Sequence, residues 1–267
     1  MLNIQGKLNM VMRIFLLLLV PFFITSCKTL PEGVSPVAAT WFYGLHELPA
    51  SATLSGSGIS FHPSYKSTQA TDEAEKKLKP GVKIPAVVHL HGCAGFTDGD
   101  QHAEYQDLYL SLGYAVFMPD SFSRPNRERL CGLGGDKKFY WRLEEAAYAL
   151  KQIRKFPWID KKRIFLSGFS EGGQTANMWS TNDFTGIIML GSDCSKSGGS
   201  PVAPDEVPVL AIVGGEADEW TKGWSCKVTR TIGGSKSIIL DDAAHQIAHY
   251  SKTQNAIKLF LKQCCDR

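Results

Sequence analysis

From residue 84 onward, short unbroken apolar runs alternate with longer segments in which apolar residues recur every three to four positions. Ala86, Val87, Val88, His89 and Leu90 form the first run and end just before Gly92; residues 114–118 form the second and stop at Pro119. Residues 164–167, 186–190, 209–213 and 237–240 continue the series, and Gly191 and Gly214 follow two of them directly. Runs this short and this uniformly apolar predict strands buried on both faces, as in a parallel sheet. Between them, residues 103–112, 137–156, 173–181 and 251–263 read as helices. In the second of these, Trp141, Ala146, Leu150 and Ile153 share one stripe, and Gly113 is placed to cap the first. The alternation predicts an α/β fold: a single domain over residues 41–267, with a mainly parallel central sheet covered by helices on both faces. In such sheets the site lies beyond the carboxyl ends of the strands.

The polar stretches fall outside this frame. Residues 65–83 read as a surface insertion with a brief helix over 72–78, and residues 121–136 as an irregular loop carrying Arg124, Arg127 and Cys131. Near the N-terminus, Arg13 precedes eleven uncharged residues, 14–24. A membrane span needs about 20 apolar residues, so this run suits the core of a signal peptide. The ending Ile24-Thr25-Ser26-Cys27 resembles a bacterial lipobox. Residues 1–26 are therefore expected to be a lipoprotein signal peptide, Cys27 the lipidated residue that enters the bilayer, and residues 27–40 a tether containing Pro31, Gly33 and Pro36. Lys28 follows the cysteine. By resemblance to enterobacterial sorting, this places the protein in the bacterial cell envelope, at the outer membrane facing the periplasm. A soluble periplasmic or secreted protein is the alternative, and Met10 and Met12 are alternative starts.

At 267 residues, 43% apolar and 21% charged, the chain is long enough for one sizeable core. The formal net charge of +3 falls to +1 without residues 1–26, which carry Lys7 and Arg13 and no acid. That balance offers nucleic acid no basic surface, and nothing calls for an obligate protein partner. Of seven cysteines, six remain if Cys27 is acylated, an even number suited to disulfides in an oxidising compartment. No paired C-x-x-C motif is present, so a zinc site is not expected, nor is any other metal or cofactor.

Gly168-Phe169-Ser170-Glu171-Gly172 joins a predicted strand to a predicted helix. This is the pattern of a nucleophile elbow, in which a sharp turn presents the serine above the sheet edge. A serine hydroxyl is a poor nucleophile near neutral pH, so it needs a histidine base, and the imidazole needs an acid to fix its tautomer. Asp218 follows the run at 209–213 and His245 the run at 237–240, in the order Ser, acid, His. Glu216, Glu219 and Asp193 are rival acids and His249 a rival base; His46, His62 and His102 read as surface or core histidines. The oxyanion needs donors, for which the amides of Glu171 and of Cys93, in the loop His91-Gly92-Cys93-Ala94-Gly95, are placed. His91 reads as a brace for that loop. Phe122, Trp220 and Trp224 are candidates for an apolar pocket, with core packing as the alternative. Arg124 and Arg127 are candidates for binding a substrate carboxylate, with solvated loop charges as the alternative.

Five blocks occur in register: His91-Gly92-Cys93-Ala94-Gly95; Pro119-Asp120-Ser121-Phe122 with Arg124 and Cys131; the elbow with Gly173; Gly215 to Trp220 with Cys226; and Ala244-His245. Together they resemble the dienelactone hydrolase family of α/β hydrolases, from about residue 84 to the C-terminus. The resemblance implies an α/β-hydrolase fold, catalytic Ser170, Asp218 and His245, and disulfides joining Cys93 to Cys131 and Cys194 to Cys226. Cys264 and Cys265 have no assigned role. Dienelactone hydrolases proper carry cysteine where this chain has Ser170. The resemblance therefore implies a serine esterase acting on a small-molecule carboxylic ester rather than that family's substrate.

Overall fold

The computed structural model describes residues 29–97, 101–127, 129, 131 and 135–264. The apolar runs become adjacent strands of one sheet: β1 (Leu45–Leu48), β2 (Ile59–Ser60), β3 (Ile84–Leu90), β4 (Ala115–Met118), β5 (Ile159–Phe169), β6 (Ile187–Leu190), β7 (Val209–Gly214) and β8 (Lys236–Leu240). Their order is β2-β1-β4-β3-β5-β6-β7-β8. Strands β3 to β8 pair in parallel, while β1 runs antiparallel to both β2 and β4. The helices are α1 (Pro36–Phe42), α2 (Gln69–Lys76), α3 (His102–Ser111), α4 (Lys137–Ile153), α5 (Glu171–Asn177) and α6 (Ser251–Gln263).

Strand periodicity divides the apolar runs between two cores. Ala86, Val88 and Leu90 of β3, Ile164 and Leu166 of β5, and Ile187 and Met189 of β6 face Trp41 of α1 and Ala146, Leu150 and Ile153 of α4. Val87, Phe165, Ile188 and Leu190 face the opposite way, onto Tyr105 and Tyr109 of α3 and Ile257, Phe260 and Leu261 of α6. Each Val, Leu, Ile, Met or Phe among them contributes about 1.5–3 kcal/mol by leaving water. The sheet changes direction at its centre, where β3 lies between β4 and β5, so loops after β3 and β5 diverge to opposite sides and open a crevice.

Three expectations need correction. The tether does not extend to residue 40, because α1 begins within it. Ser35 caps that helix by accepting from the Ala38 amide at 3.3 Å, Pro36 starts it, and Ala38, Ala39, Thr40 and Trp41 are buried. Trp41 stacks on Phe117 with centroids 5.6 Å apart, which ties α1 to the sheet. The brief helix of the polar insertion is Gln69–Lys76 rather than 72–78. Elsewhere the helix expected over 173–181 is Glu171–Asn177, starting directly after the serine. Among the described residues, no helix is long and apolar enough to cross a membrane. Cys27, its signal segment and Cys265 lie outside the described residues.

Candidate active site

The turn from β5 into α5 places Ser170 at φ 52° and ψ −114°, a backbone conformation that costs a non-glycine residue about 1–3 kcal/mol. Its neighbours enforce it. The Ser170 amide donates to the Leu190 carbonyl of β6 at 2.8 Å, which ties the turn to the next strand. A Cβ on Gly168 would run into the Gly172 backbone, and one on Gly172 into the Leu90 carbonyl. Glycine is therefore required where strand, helix and β3 come together.

The loops after β7 and β8 bring two further side chains to Ser170. His245 Nε2 lies 3.0 Å from Ser170 Oγ, and His245 Nδ1 lies 3.0 Å and 3.2 Å from the two Asp218 carboxylate oxygens. Asp218 is fully buried and also accepts from the Trp220 amide at 2.9 Å and the Thr221 hydroxyl at 2.8 Å. Burial pushes this carboxyl up, but the hydrogen bonds from His245, Thr221 and Trp220 outweigh it and bring the group down to about 2. The acid therefore stays ionised at neutral pH and selects the Nδ1–H tautomer, which leaves Nε2 free to take the serine proton. The rival acids do not meet His245: Glu216 and Glu219 are exposed, and Asp193 accepts from the Ser195 amide and hydroxyl. His249 is exposed beside Tyr250.

On the other side of the serine lie Cys93 and Glu171, which line one cavity of about 230 Å³ together with Ser170. As the first residue of α5, Glu171 has an amide with no intrahelical acceptor. The Cys93 loop is braced by His91, whose Nδ1 donates to the Gly92 carbonyl at 2.7 Å while Nε2 accepts from the Ser121 amide at 3.1 Å. Burial, then the nearby Arg142 charge, hold this imidazole well below its ordinary range, so it is a neutral strut. Disulfides join Cys93 to Cys131 and Cys194 to Cys226. Cys264 is buried and its thiol donates to the Gly233 carbonyl at 3.3 Å.

The same arrangement of strands recurs in solved structures. Est1E from Butyrivibrio proteoclasticus, determined with ferulic acid bound, is 14% identical with a TM-score of 0.50, over 69% of this chain and 91% of that one. An acetyl xylan esterase from Paenibacillus sp. R4 is 12% identical with a TM-score of 0.50, over 69% of this chain and 77% of that one. The chain has the α/β-hydrolase fold. A protein from Klebsiella pneumoniae subsp. pneumoniae MGH 78578 that bears a provisional dienelactone hydrolase name is 13% identical with a TM-score of 0.47, over 71% and 90% of the two chains. No family model and no curated protein matches the sequence.

Within this α/β-hydrolase fold, the remaining candidates separate clearly. Trp220 lines the cavity beside the serine and is 53% exposed, whereas Trp224 is 74% exposed and does not line it. Phe122 is not a pocket residue. It is buried, stacked on His91 at 5.2 Å, and covered by the Arg127 and Arg129 guanidinium groups. Arg124 and Arg127 are neither a carboxylate clamp nor solvated charges. Arg124 donates to the Trp141 carbonyl at 3.0 Å and pairs with Glu144, and Arg127 pairs with Glu171. Their partners come from α4 and the elbow, remote in sequence.

Sequence reasoning missed the charged face of α4. Lys138, Arg142 and Glu145 sit four and three residues apart, in line with Ala149 and Ile153, and all are buried. Charges recurring on an apolar stripe were the available signal. The cavity lining is correspondingly mixed: Lys138, Asp136, Lys196, Gln174 and Ser192 face it along with Phe139 and Trp220. Lys196 and Asp136 pair at 2.6 Å on its rim. Among the described residues, no group of three or more His, Cys, Asp or Glu side chains is arranged to hold a metal.

Proposed function

We propose that the chain is a serine hydrolase of the dienelactone hydrolase-like type that cleaves a carboxylic ester. The observation that carries this reading is the unbroken hydrogen-bonded line Asp218, His245, Ser170 at a serine of positive φ. Ser170 Oγ attacks the ester carbonyl as His245 Nε2 takes its proton, and the tetrahedral oxyanion forms against the Glu171 and Cys93 amides. His245 returns the proton to the leaving alcohol, giving an acyl-serine. Water, deprotonated by the same imidazole, then releases the carboxylic acid and regenerates Ser170. Asp218 stays ionised throughout and stabilises the imidazolium. Esterase names among the structural neighbours agree with this chemistry.

The same reading includes anchoring at the cell envelope through a lipid on Cys27. The two disulfides support an extracytoplasmic, oxidising location. Metabolic labelling with palmitate should be lost in Cys27→Ala, and labelling that persists would sink the anchor.

Hydrolysis of a panel of short-chain, long-chain, lactone and sugar-acetate esters by wild type and Ser170→Ala tests the activity. Turnover that survives Ser170→Ala, or no turnover of any ester, would reject it. Products transferred to an added alcohol, or cleavage of peptides, would redirect the assignment to an acyltransferase or a peptidase with the same triad.

A further inference from the structure

We infer that Arg142 is a positioning residue for the oxyanion site, one guanidinium that holds together the two segments bearing the Cys93 and Glu171 amides. This rests on the serine hydrolase reading above. Arg142 rises from the middle of α4 and is wholly buried. Its Nη1 donates to Glu171 Oε1 at 2.9 Å, on the residue directly after the nucleophile. Its Nη2 donates to the His91 carbonyl, two residues before Cys93. Each end of the clamp is fixed in turn. The Glu171 carboxylate is also paired with Arg127 and with Lys138 at 3.0 Å, and the His91 ring is held by the Gly92 carbonyl and the Ser121 amide.

Stability alone does not account for such a group. Removing a guanidinium and a carboxylate from water is costly, and well-packed apolar residues of similar volume often replace a buried ion cluster without loss. What apolar packing lacks is direction: a planar guanidinium fixes two acceptors at a set distance and angle. The two acceptors here belong to the segments whose amides must converge on one developing oxygen. Three cations, Arg127, Lys138 and Arg142, surround the Glu171 carboxylate and hold its residue in place.

The test compares wild type with Arg142→Met, Arg142→Lys and Glu171→Gln. For each, kcat and KM on an ester that wild type hydrolyses are measured, together with affinity for a boronic acid that forms a tetrahedral adduct with the serine. Arg142→Met should lower kcat by about tenfold to a hundredfold, as expected for sub-ångström misplacement of catalytic groups, with KM nearly unchanged. Boronate affinity should fall by the same factor as kcat/KM. Arg142→Lys, a point charge reaching one acceptor at a time, should recover part of the loss. Glu171→Gln, which keeps the backbone amide and an acceptor oxygen, should lie between Met and wild type. If Arg142→Met does not fold, the Lys and Gln variants carry the same comparison. Folded variants that keep wild-type kcat, or lose kcat without losing boronate affinity, would overturn the inference. A wild type that neither hydrolyses esters nor binds the boronate would instead overturn the hydrolase reading, and this inference with it.

Discussion

On one side of Ser170, a single hydrogen-bonded line from Asp218 through His245 reaches the hydroxyl, supported by loops after β7 and β8. On the other, a disulfide, a neutral buried histidine and a knot of ions from α4 hold the segments of Cys93 and Glu171. In the proposed reaction the imidazole exchanges partners between steps, and one orienting acid, itself held by the Trp220 amide and the Thr221 hydroxyl, keeps it in a single tautomer. Amides that receive an oxyanion must already point at it when the charge appears, because reorganising them then would raise the barrier. Cross-links are therefore concentrated on the side where movement would be most damaging.

The largest expected effect breaks the sparse side. Asp218→Asn leaves the packing in place but favours the wrong imidazole tautomer, and kcat should fall by about 10⁴-fold in a protein that still folds, at a melting temperature lowered by the lost charge-assisted hydrogen bonds. Ester kinetics beside a melting curve check this. A loss of folding in place of kcat would show that Asp218 is structural.

Breaking the two disulfides separately sharpens the contrast. Each closes a loop of similar length, 38 and 32 residues, so Cys131→Ser and Cys226→Ser should each cost about 2–4 kcal/mol of stability. Only the first frees the oxyanion segment, and it alone should reduce kcat, by about tenfold or more. Equal kcat values for the two folded variants would contradict the division of labour.

Trp220 should have a smaller effect, on binding. Its half-exposed ring lines the cavity, so Trp220→Ala is expected to raise KM by about threefold to tenfold, the equivalent of about 1 kcal/mol, with kcat retained. Trp224→Ala, outside the cavity, should change neither constant.

The two sides should also respond to pH in opposite directions. Burial raises Glu145, in the ion cluster, to about 7 despite Arg142 and the Ser121 hydroxyl. Its protonated form is favoured in the fold, so that stabilisation is complete below about 4.5 and is lost as pH rises through 7. Glu145→Gln should therefore melt higher than wild type at pH 8 and close to it at pH 5. Asp218, brought down to about 2, contributes stability that is complete above its ordinary 3.8 and is lost as pH falls through 2. The wild-type loss between pH 4 and 2 should shrink in Asp218→Asn. Thermal melts across pH 2 to 9 test both signs.

Much of this was legible in the sequence. Strands β3, β4, β6 and β7 and the second half of β5 announce themselves because a strand buried on both faces is almost wholly apolar, whereas β8, exposed over most of its length at the sheet edge, shows only as the short run ending at Leu240; Ser170, Asp218 and His245 each follow one of these strands. The antiparallel edge did not. Leu45–Leu48 and Ile59–Ser60 are too short to show a period, and their strand character comes from pairing with β4 and with each other. Helix α1 was hidden for a related reason: Pro36 reads as a linker residue until Ser35 caps it and Trp41 finds Phe117. Arg124 and Arg127 were misread because their partners are distant in sequence, and an arginine in a loop looks solvated until its carboxylate arrives from elsewhere.

The central claim is that Ser170 is the nucleophile, and covalent labelling tests it most directly. Wild type treated with a fluorophosphonate probe should gain one adduct, mapped by peptide mass spectrometry to Ser170, with labelling abolished in Ser170→Ala and strongly slowed in His245→Ala. An adduct on another residue, or labelling undiminished in Ser170→Ala, would contradict it.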